Sequence, residues 1–371
     1  MELLTYIRRK CKMGEKQLMK GNEAFATAAI NAGCRYYFGY PITPQNEVPE
    51  FMSRELAKHG GAFIQAESEL GAVNMAYGAA AAGGRVLLSS SSPGIALMQE
   101  SISLLASVEL PIVIINVMRG GPGIGPIQPS QADYDQVTIG GGNGDYKTIV
   151  YAPSSIQEAC DMIAKAFDVA EEYRNPVIVC ADGMIGQMME PVALPDPVEA
   201  VMGDDIRKAK PWALTGHRGE RERHAMNSVW LQQDLLEDYI DAYWPKFEKA
   251  QEELPEWEEY MVDDAEVVYV AYGSTSRIVK EAVGALRAEG LKIGLIRPKT
   301  LWPFPDKAFE KVGSQIKHVI SVELSKSGQL RRDVRLAVEG RAPVSLINRY
   351  GGMLLDPAEV IERTKKILEV K

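Results

Sequence analysis

At 371 residues, with 46% apolar and 25% charged side chains, the chain has the composition of a globular protein of two α/β domains and a connector. Its net charge of −9 excludes a nucleic-acid partner, whose phosphates need a basic face. No run approaches the roughly eighteen apolar residues of a membrane span, and Met1–Lys10 lacks the apolar core and cleavage site of a signal peptide, so no membrane contact and a cytoplasmic location are expected.

Met13 precedes a more ordinary beginning, so residues 1–12 are read as an N-terminal extension. From Leu18 to about Asp182 helix and strand alternate. Lys20-Gly21-Asn22 opens a helix that stops at Gly33, a residue suited to a left-handed cap. Arg35–Tyr40, Ala62–Ala66, Arg85–Ser90, Pro111–Val117, Lys147–Tyr151 and Pro176–Ala181 read as buried strands. Thr43-Pro44 has the chemistry of an N-cap and first helical residue. Ser154-Ser155-Ile156-Gln157 looks like a capping box for a helix running to about Tyr173. Strands separated by helices predict a parallel sheet covered on both faces, over residues 13–190.

Pro191, Pro195 and Pro197 mark the exit into a connector, 191–264, with helical periodicity over Ser228–Glu253 and a basic cluster at 206–223 read as a solvated surface. The α/β rhythm resumes in 265–371. Strands are expected at Glu266–Tyr272, Leu291–Arg297, His318–Glu323 and Val344–Asn348. Helices are expected at Ser274–Glu289, through Arg331–Val338 and from about Pro357, making a complete small three-layer domain. Cys11, Cys34, Cys160 and Cys180 show no CxxC pair and no zinc or ferredoxin spacing. Cys160 and Cys180 read as core thiols, and a reducing compartment fits. The four histidines show no ligand spacing, and Ser89–Ser92 forms no GxSxG elbow, which argues against a zinc enzyme or a serine hydrolase.

Three features fall at the carboxyl ends of predicted strands, where open α/β sheets bind ligands. In Tyr40-Pro41-Ile42-Thr43-Pro44, a hydroxyl and free N–H groups at a helix start suit a substrate carboxylate as well as a plain cap. In Gln65-Ala66-Glu67-Ser68-Glu69-Leu70-Gly71-Ala72, two acids precede a helix rich in small residues. Acid in a first helical turn needs no function, and either Glu67 or Glu69 fits a proton-handling role. In Met118-Arg119-Gly120-Gly121-Pro122-Gly123, the glycines suit a turn but match no phosphate-loop pattern. Arg119 is a candidate anchor for a carboxylate, with Gln131, Asp133 and Asp135 lining the same mouth.

YPITP, ESELGA, MRGGPG and the Arg297–Pro305 stretch RPKTLWPFP, in this order and spacing, resemble the α subunit of 2-oxoacid:ferredoxin oxidoreductases, and the resemblance runs over nearly the whole chain from Met13. It implies a pyrimidine-binding domain of the thiamine diphosphate enzymes followed by a domain like the transketolase C-terminal domain. Glu69, directly before the small-residue helix, would then hydrogen-bond the cofactor's aminopyrimidine, with Gln131 beside the cofactor. Thr43 and Arg119 would match substrate-contacting positions. The family's GDG motif with a downstream Asn pair is missing: Gly142-Asn143-Gly144-Asp145 and Ala181-Asp182-Gly183 do not fit it. Mg²⁺ and the diphosphate would therefore come from a β subunit, and the iron–sulfur clusters from partner chains, including a γ subunit and a ferredoxin-like δ subunit. Coenzyme A and ferredoxin would be co-substrates. Gly125–Tyr134 is closest to subunits for branched-chain 2-oxoacids such as 2-ketoisovalerate, with 2-oxoglutarate or pyruvate, or a non-catalytic scaffold subunit, as alternatives.

Overall fold

The computed structural model describes residues 15–369, so the expected extension, with Cys11, lies outside the described residues. The first part of the chain forms β1 (Gln17–Lys20), β2 (Tyr36–Gly39), β3 (Ala62–Gln65), β4 (Val86–Ser90), β5 (Ile112–Met118), β6 (Ile149–Tyr151), β7 (Pro176–Asp182) and β8 (Met189–Val192). β5, IVIINVM, has no polar alternation and is buried throughout, as a central strand covered on both faces must be. β3 carries more exposed positions and stands at the sheet's end.

The second part forms β9 (Trp257–Tyr260), β10 (Val267–Val270), β11 (Ile293–Pro298), β12 (Thr300–Trp302), β13 (His318–Glu323) and β14 (Val344–Asn348). Two larger sheets result, one ordered β12-β6-β7-β5-β4-β2-β3 and the other β14-β13-β10-β11-β9. In the first, β2 through β7 run parallel, so their carboxyl ends share one edge. Gly39 lies beside Gln65 and Ser89, and Ser90 beside Asn116. From β2 the winding proceeds to β3 on one side, while β4, β5 and β7 build out on the other. The reversal opens a crevice above β2 and β4, the place where such sheets take ligands.

The second α/β unit is not complete within 265–371. Its sheet takes β9 from the connector, antiparallel to β11. In return it lends β12, antiparallel to β6, as the edge of the first sheet. Sequence periodicity is blind to such an exchange, because each strand looks locally like any other. β1 and β8 form a separate antiparallel pair that ties the chain's entry to the first unit's exit.

Three local expectations are corrected. The helix after Thr43-Pro44 starts only at Glu47, because residues 43–46 turn instead, with the Pro44 carbonyl accepting from the Asn22 and Gln187 side chains at 2.7 Å each. The capping box sits one residue later than its sequence motif. Ser155 caps the Ile156–Tyr173 helix through Glu158 N–H (3.1 Å), and the Glu158 carboxylate accepts from Ser154 N–H (2.8 Å). The basic connector cluster is not wholly solvated, since buried Lys210 reaches Glu171 (2.5 Å) and the Gly83 carbonyl (2.8 Å).

The expected connector helix splits into Gln233–Tyr243 and Pro245–Glu253, with Pro245 at the first position of the second, where its missing N–H costs nothing. A run of ring contacts, Trp230–Tyr239–Tyr243–Phe247–Trp302, spaced 4.7 to 5.9 Å, carries the connector onto β12. Among the described residues no helix is long and apolar enough to cross a membrane.

Candidate active site

Ser68 separates the two acids. Its backbone is extended and its hydroxyl accepts from Gly71 N–H at 3.1 Å, so the Glu69–Ala81 helix begins at Glu69. Glu69 is buried, and its carboxylate lies over the first turn of the Ser92–Ser107 helix. There Gly94 leaves the space: a Cβ on it would stand 2.3 Å from Glu69 Oε1. Ser90, at the end of β4, donates to the same oxygen across a long 3.4 Å. Glu67 is exposed and folds back over Gly71. The two carboxylates, indistinguishable by spacing, thus have opposite surroundings.

Ser92 links this helix start to the end of β5. Its hydroxyl donates to Asp133 Oδ2 at 2.6 Å and accepts from Arg119 N–H at 3.0 Å. Asn116 Nδ2 donates to the same Asp133 oxygen at 2.9 Å. Burial pushes the Asp133 carboxyl above its ordinary range, partly offset by these two donors. Asp133 is therefore a structural acceptor under the crevice, and Asp135 pairs outward with Arg332 (3.0 Å).

Arg119 and Thr43 are brought together. Arg119 is buried, with Nη1 donating to the Thr43 carbonyl (2.7 Å) and Nη2 to the Ile124 carbonyl (2.8 Å). Its fork clamps the Thr43 turn to the glycine loop. Arg119 Nε, Gln45 Nε2 and Ser91 Oγ are buried and have no hydrogen-bond partner among the described residues. Unpaired buried donors beside a buried carboxylate suit a polar ligand, since leaving them unmet costs about 1–3 kcal/mol each.

Gln131 sits on the seam with the second unit. Its amide donates to the Tyr272 carbonyl (2.9 Å) and accepts from Leu324 N–H (3.0 Å) and the Thr275 hydroxyl (3.2 Å). Sequence reasoning missed Ser92, Gly94 and the buried relay Gln45–Ser89–Tyr37, whose hydroxyl contacts are 2.5 and 2.8 Å. The one available signal was the glycine at the third position of a helix opened by Ser-Pro, where alanine is the better helix former.

Residues 27–258 match the family model described as pyruvate flavodoxin/ferredoxin oxidoreductase, thiamine diphosphate-binding, and residues 265–360 match pyruvate:ferredoxin oxidoreductase core domain II. The chain is 48% identical over 351 residues to the ketoisovalerate oxidoreductase subunit VorB of Methanothermobacter thermautotrophicus, covering 95% of this chain and 97% of that one. It is 37% identical to the 2-oxoglutarate synthase subunit KorA of Methanocaldococcus jannaschii, over 93% of this chain and 98% of the other. A solved 2-oxoglutarate:ferredoxin oxidoreductase from Magnetococcus marinus, with 2-oxoglutarate, coenzyme A and succinyl-CoA bound, superposes with a TM-score of 0.82 at 27% identity. That match covers 96% of this chain and 66% of the other. A split-gene transketolase, at a TM-score of 0.58 and 14% identity, shares the fold. The ligand crevice, its buried acid and these matches agree: the chain belongs to the pyruvate flavodoxin/ferredoxin oxidoreductase family and is a subunit of a thiamine-diphosphate-dependent 2-oxoacid:ferredoxin oxidoreductase.

Proposed function

We propose that this chain supplies the acid-bearing half of a site that decarboxylates a branched-chain 2-oxoacid, 2-ketoisovalerate, forming an acyl-CoA and reducing ferredoxin. The observation that carries this is the buried Glu69 carboxylate, held open by Gly94 and met, among the described residues, by a long bond from Ser90. When bound, thiamine diphosphate supplies the nucleophilic carbon and the electron sink for the decarboxylation. Glu69 would hold the aminopyrimidine where no water competes for the hydrogen bond. The Thr43 hydroxyl and the Arg119 guanidinium would hold the substrate carboxylate, with Arg119 fixed from behind by its two carbonyl bonds. Gln131, expected beside the cofactor, has its amide taken up by Tyr272, Thr275 and Leu324, and would support the site by ordering Pro129–Asp133 against the second unit. The relative named for ketoisovalerate supports the branched-chain substrate, ahead of 2-oxoglutarate and pyruvate.

Family membership supports a division of labour. The chain has no GDG…NN motif, so Mg²⁺ and the diphosphate would be held by a β chain, and the iron–sulfur clusters by γ and δ chains. The chain divides into a pyrimidine-binding unit (13–190), a connector (191–264) and a transketolase C-terminal-like unit (265–371), with β9 and β12 exchanged across the borders. The test is C2-proton exchange of bound thiamine diphosphate in the assembled complex. Glu69→Gln should slow exchange by about a hundredfold to ten-thousandfold, the range of general acid–base contributions. Glu67→Gln should leave it close to wild type. The reverse ranking refutes the assignment, and turnover by the isolated chain would refute the shared site.

A further inference from the structure

The Thr43-Pro44 turn is held through two successive carbonyls by side chains from distant parts of the chain. The Thr43 carbonyl accepts from Arg119 Nη1, and the Pro44 carbonyl accepts from both Asn22 Nδ2 and Gln187 Nε2. Each of these amides gives its other proton to one carboxylate. Asn22 Nδ2 donates to Glu47 Oε2 at 2.7 Å, and Gln187 Nε2 spans Oε1 and Oε2 at 3.2 and 3.0 Å. Two amide nitrogens thus lie between a carbonyl and a carboxylate, with both protons of each in use.

Local structure brings these groups together. Asn22 is buried at the second position of the Gly21–Asn31 helix, and Gln187 ends the Gly183–Gln187 helix. Glycines let the two helices touch: a Cβ on Gly21 would stand 2.0 Å from the Ile185 carbonyl, and one on Gly186 2.6 Å from Asn22 Oδ1. Asn22 Oδ1 has no hydrogen-bond partner among the described residues, so the acceptors at its nitrogen set how the amide faces. Glu47 opens the Glu47–Glu55 helix and pairs with Lys20. An acid in a first helical turn is favourable by itself, but this carboxylate also reaches off its helix to both amides. Burial would raise its carboxyl, yet the Lys20 ammonium and the Asn22 amide outweigh burial and hold it below its ordinary value. An ionised carboxylate only accepts, so both amides must present nitrogen to it and to Pro44.

We propose that Glu47 is a positioning residue for the reaction: by orienting the Asn22 and Gln187 amides it fixes the Pro44 carbonyl, and with it the backbone from which the Thr43 hydroxyl meets the oxoacid. The inference rests on the substrate reading of Thr43 above and adds the residues behind the turn, which act through it.

The experiment uses the assembled complex, with kcat/KM for 2-ketoisovalerate set against C2-proton exchange and affinity of bound thiamine diphosphate. Glu47→Ala releases both amides and should lower kcat/KM about tenfold to a hundredfold, as for a displacement of up to about 1 Å, while exchange and cofactor affinity stay at wild type. Glu47→Gln keeps one accepting oxygen and should fall between Glu47→Ala and wild type. In a Thr43→Val background Glu47→Ala should add little, because both changes act on one hydroxyl. Native mass spectrometry records assembly. Should Glu47→Ala not assemble, Gln187→Glu, at the exposed end of its helix, sets acceptor against acceptor and decides by the same readings. Unchanged kcat/KM, losses that add to those of Thr43→Val, or an equal fall in C2 exchange would overturn the proposal, the last by making Glu47 a residue of the fold. Wild-type kcat/KM in Thr43→Val alone would instead sink the substrate reading of Thr43, and this proposal with it.

Discussion

Replacing Gly94 with alanine removes no functional group, yet the structure expects it to disable the site. Gly94 has no positive φ, so the backbone accepts a side chain, and at an open helical position alanine would add about 0.5–1 kcal/mol of stability. The new methyl, however, would lie 2.0 Å from Ser90 Oγ and 2.3 Å from Glu69 Oε1, where ordinary contact begins near 3.4 Å. Ser90 is fixed at the end of β4, so the carboxylate must give way by about 1 Å, and a misplacement of that size costs on the order of a hundredfold in rate. C2-proton exchange of thiamine diphosphate bound in the assembled complex is the direct assay, with thermal unfolding beside it. Gly284→Ala, in the Gly273–Ala288 helix with nothing within 4 Å, is the control. It should gain the stability and keep the exchange rate. In a Glu69→Gln background, Gly94→Ala should add little further loss, because the two changes act on one group. Wild-type exchange in Gly94→Ala would refute the reasoning: either the carboxylate is not held where the geometry puts it, or Glu69 is not the acid.

Arg119→Lys retains the charge but cannot hold the Thr43 and Ile124 carbonyls together, so kcat/KM for the oxoacid should fall about ten- to more than a hundredfold, as expected for losing a charge-assisted bond. Thiamine diphosphate affinity should stay near wild type, and its collapse would move Arg119 to the cofactor or the fold. Arg297 is buried and grips Glu158 through two bonds of 2.9 and 2.7 Å, while its Nε keeps Glu258 (2.7 Å), so Glu158→Gln should destabilise the chain by roughly 1.5–3 kcal/mol, read by denaturant unfolding. Burial alone would raise the Glu158 carboxyl, but Arg297 outweighs it and holds the group below its ordinary value. Its stabilisation is therefore complete above the unfolded-state value and lost as pH falls through the folded one. Wild type should lose more stability than Glu158→Gln on acidification, and parallel pH profiles would contradict that.

Most of the secondary structure was legible because the strands are apolar runs bounded by turns, and His318–Glu323 and Val344–Asn348 fall where the pattern puts them. The chemistry-bearing segments were legible for a related reason: all three follow parallel strands, whose carboxyl ends are a crevice by geometry alone. What spacing left open was which acid is buried. Glu67 and Glu69 stand on one strand-to-helix junction, and the decision rests on Gly94, which lies 25 positions further along the sequence. The Thr43-Pro44 expectation failed similarly, because the Pro44 carbonyl is held by Asn22 and Gln187 from elsewhere in the chain. The exchanged strands β9 and β12 were illegible because pairing is a tertiary fact and their sequences, WEEY and TLW, carry no partner label.

The second unit fixes the crevice's geometry from its rim. Gln131 is saturated by Tyr272, Thr275 and Leu324, and its own N–H donates to the Leu324 carbonyl at 3.1 Å. Tyr134 donates to Asp333 at 2.7 Å, and Asp182, which caps the Gly183–Gln187 helix, accepts from the Ser274 hydroxyl. Buried polar seams hold only when saturated, since each unmet group costs about 1–3 kcal/mol. The segment that begins at Arg119 is thus pinned at one end by its own guanidinium and at the other by the second unit. Between those pins lie the exposed Ile124 and Ile127, so the loop that carries them is positioned by bonds that touch neither isoleucine side chain.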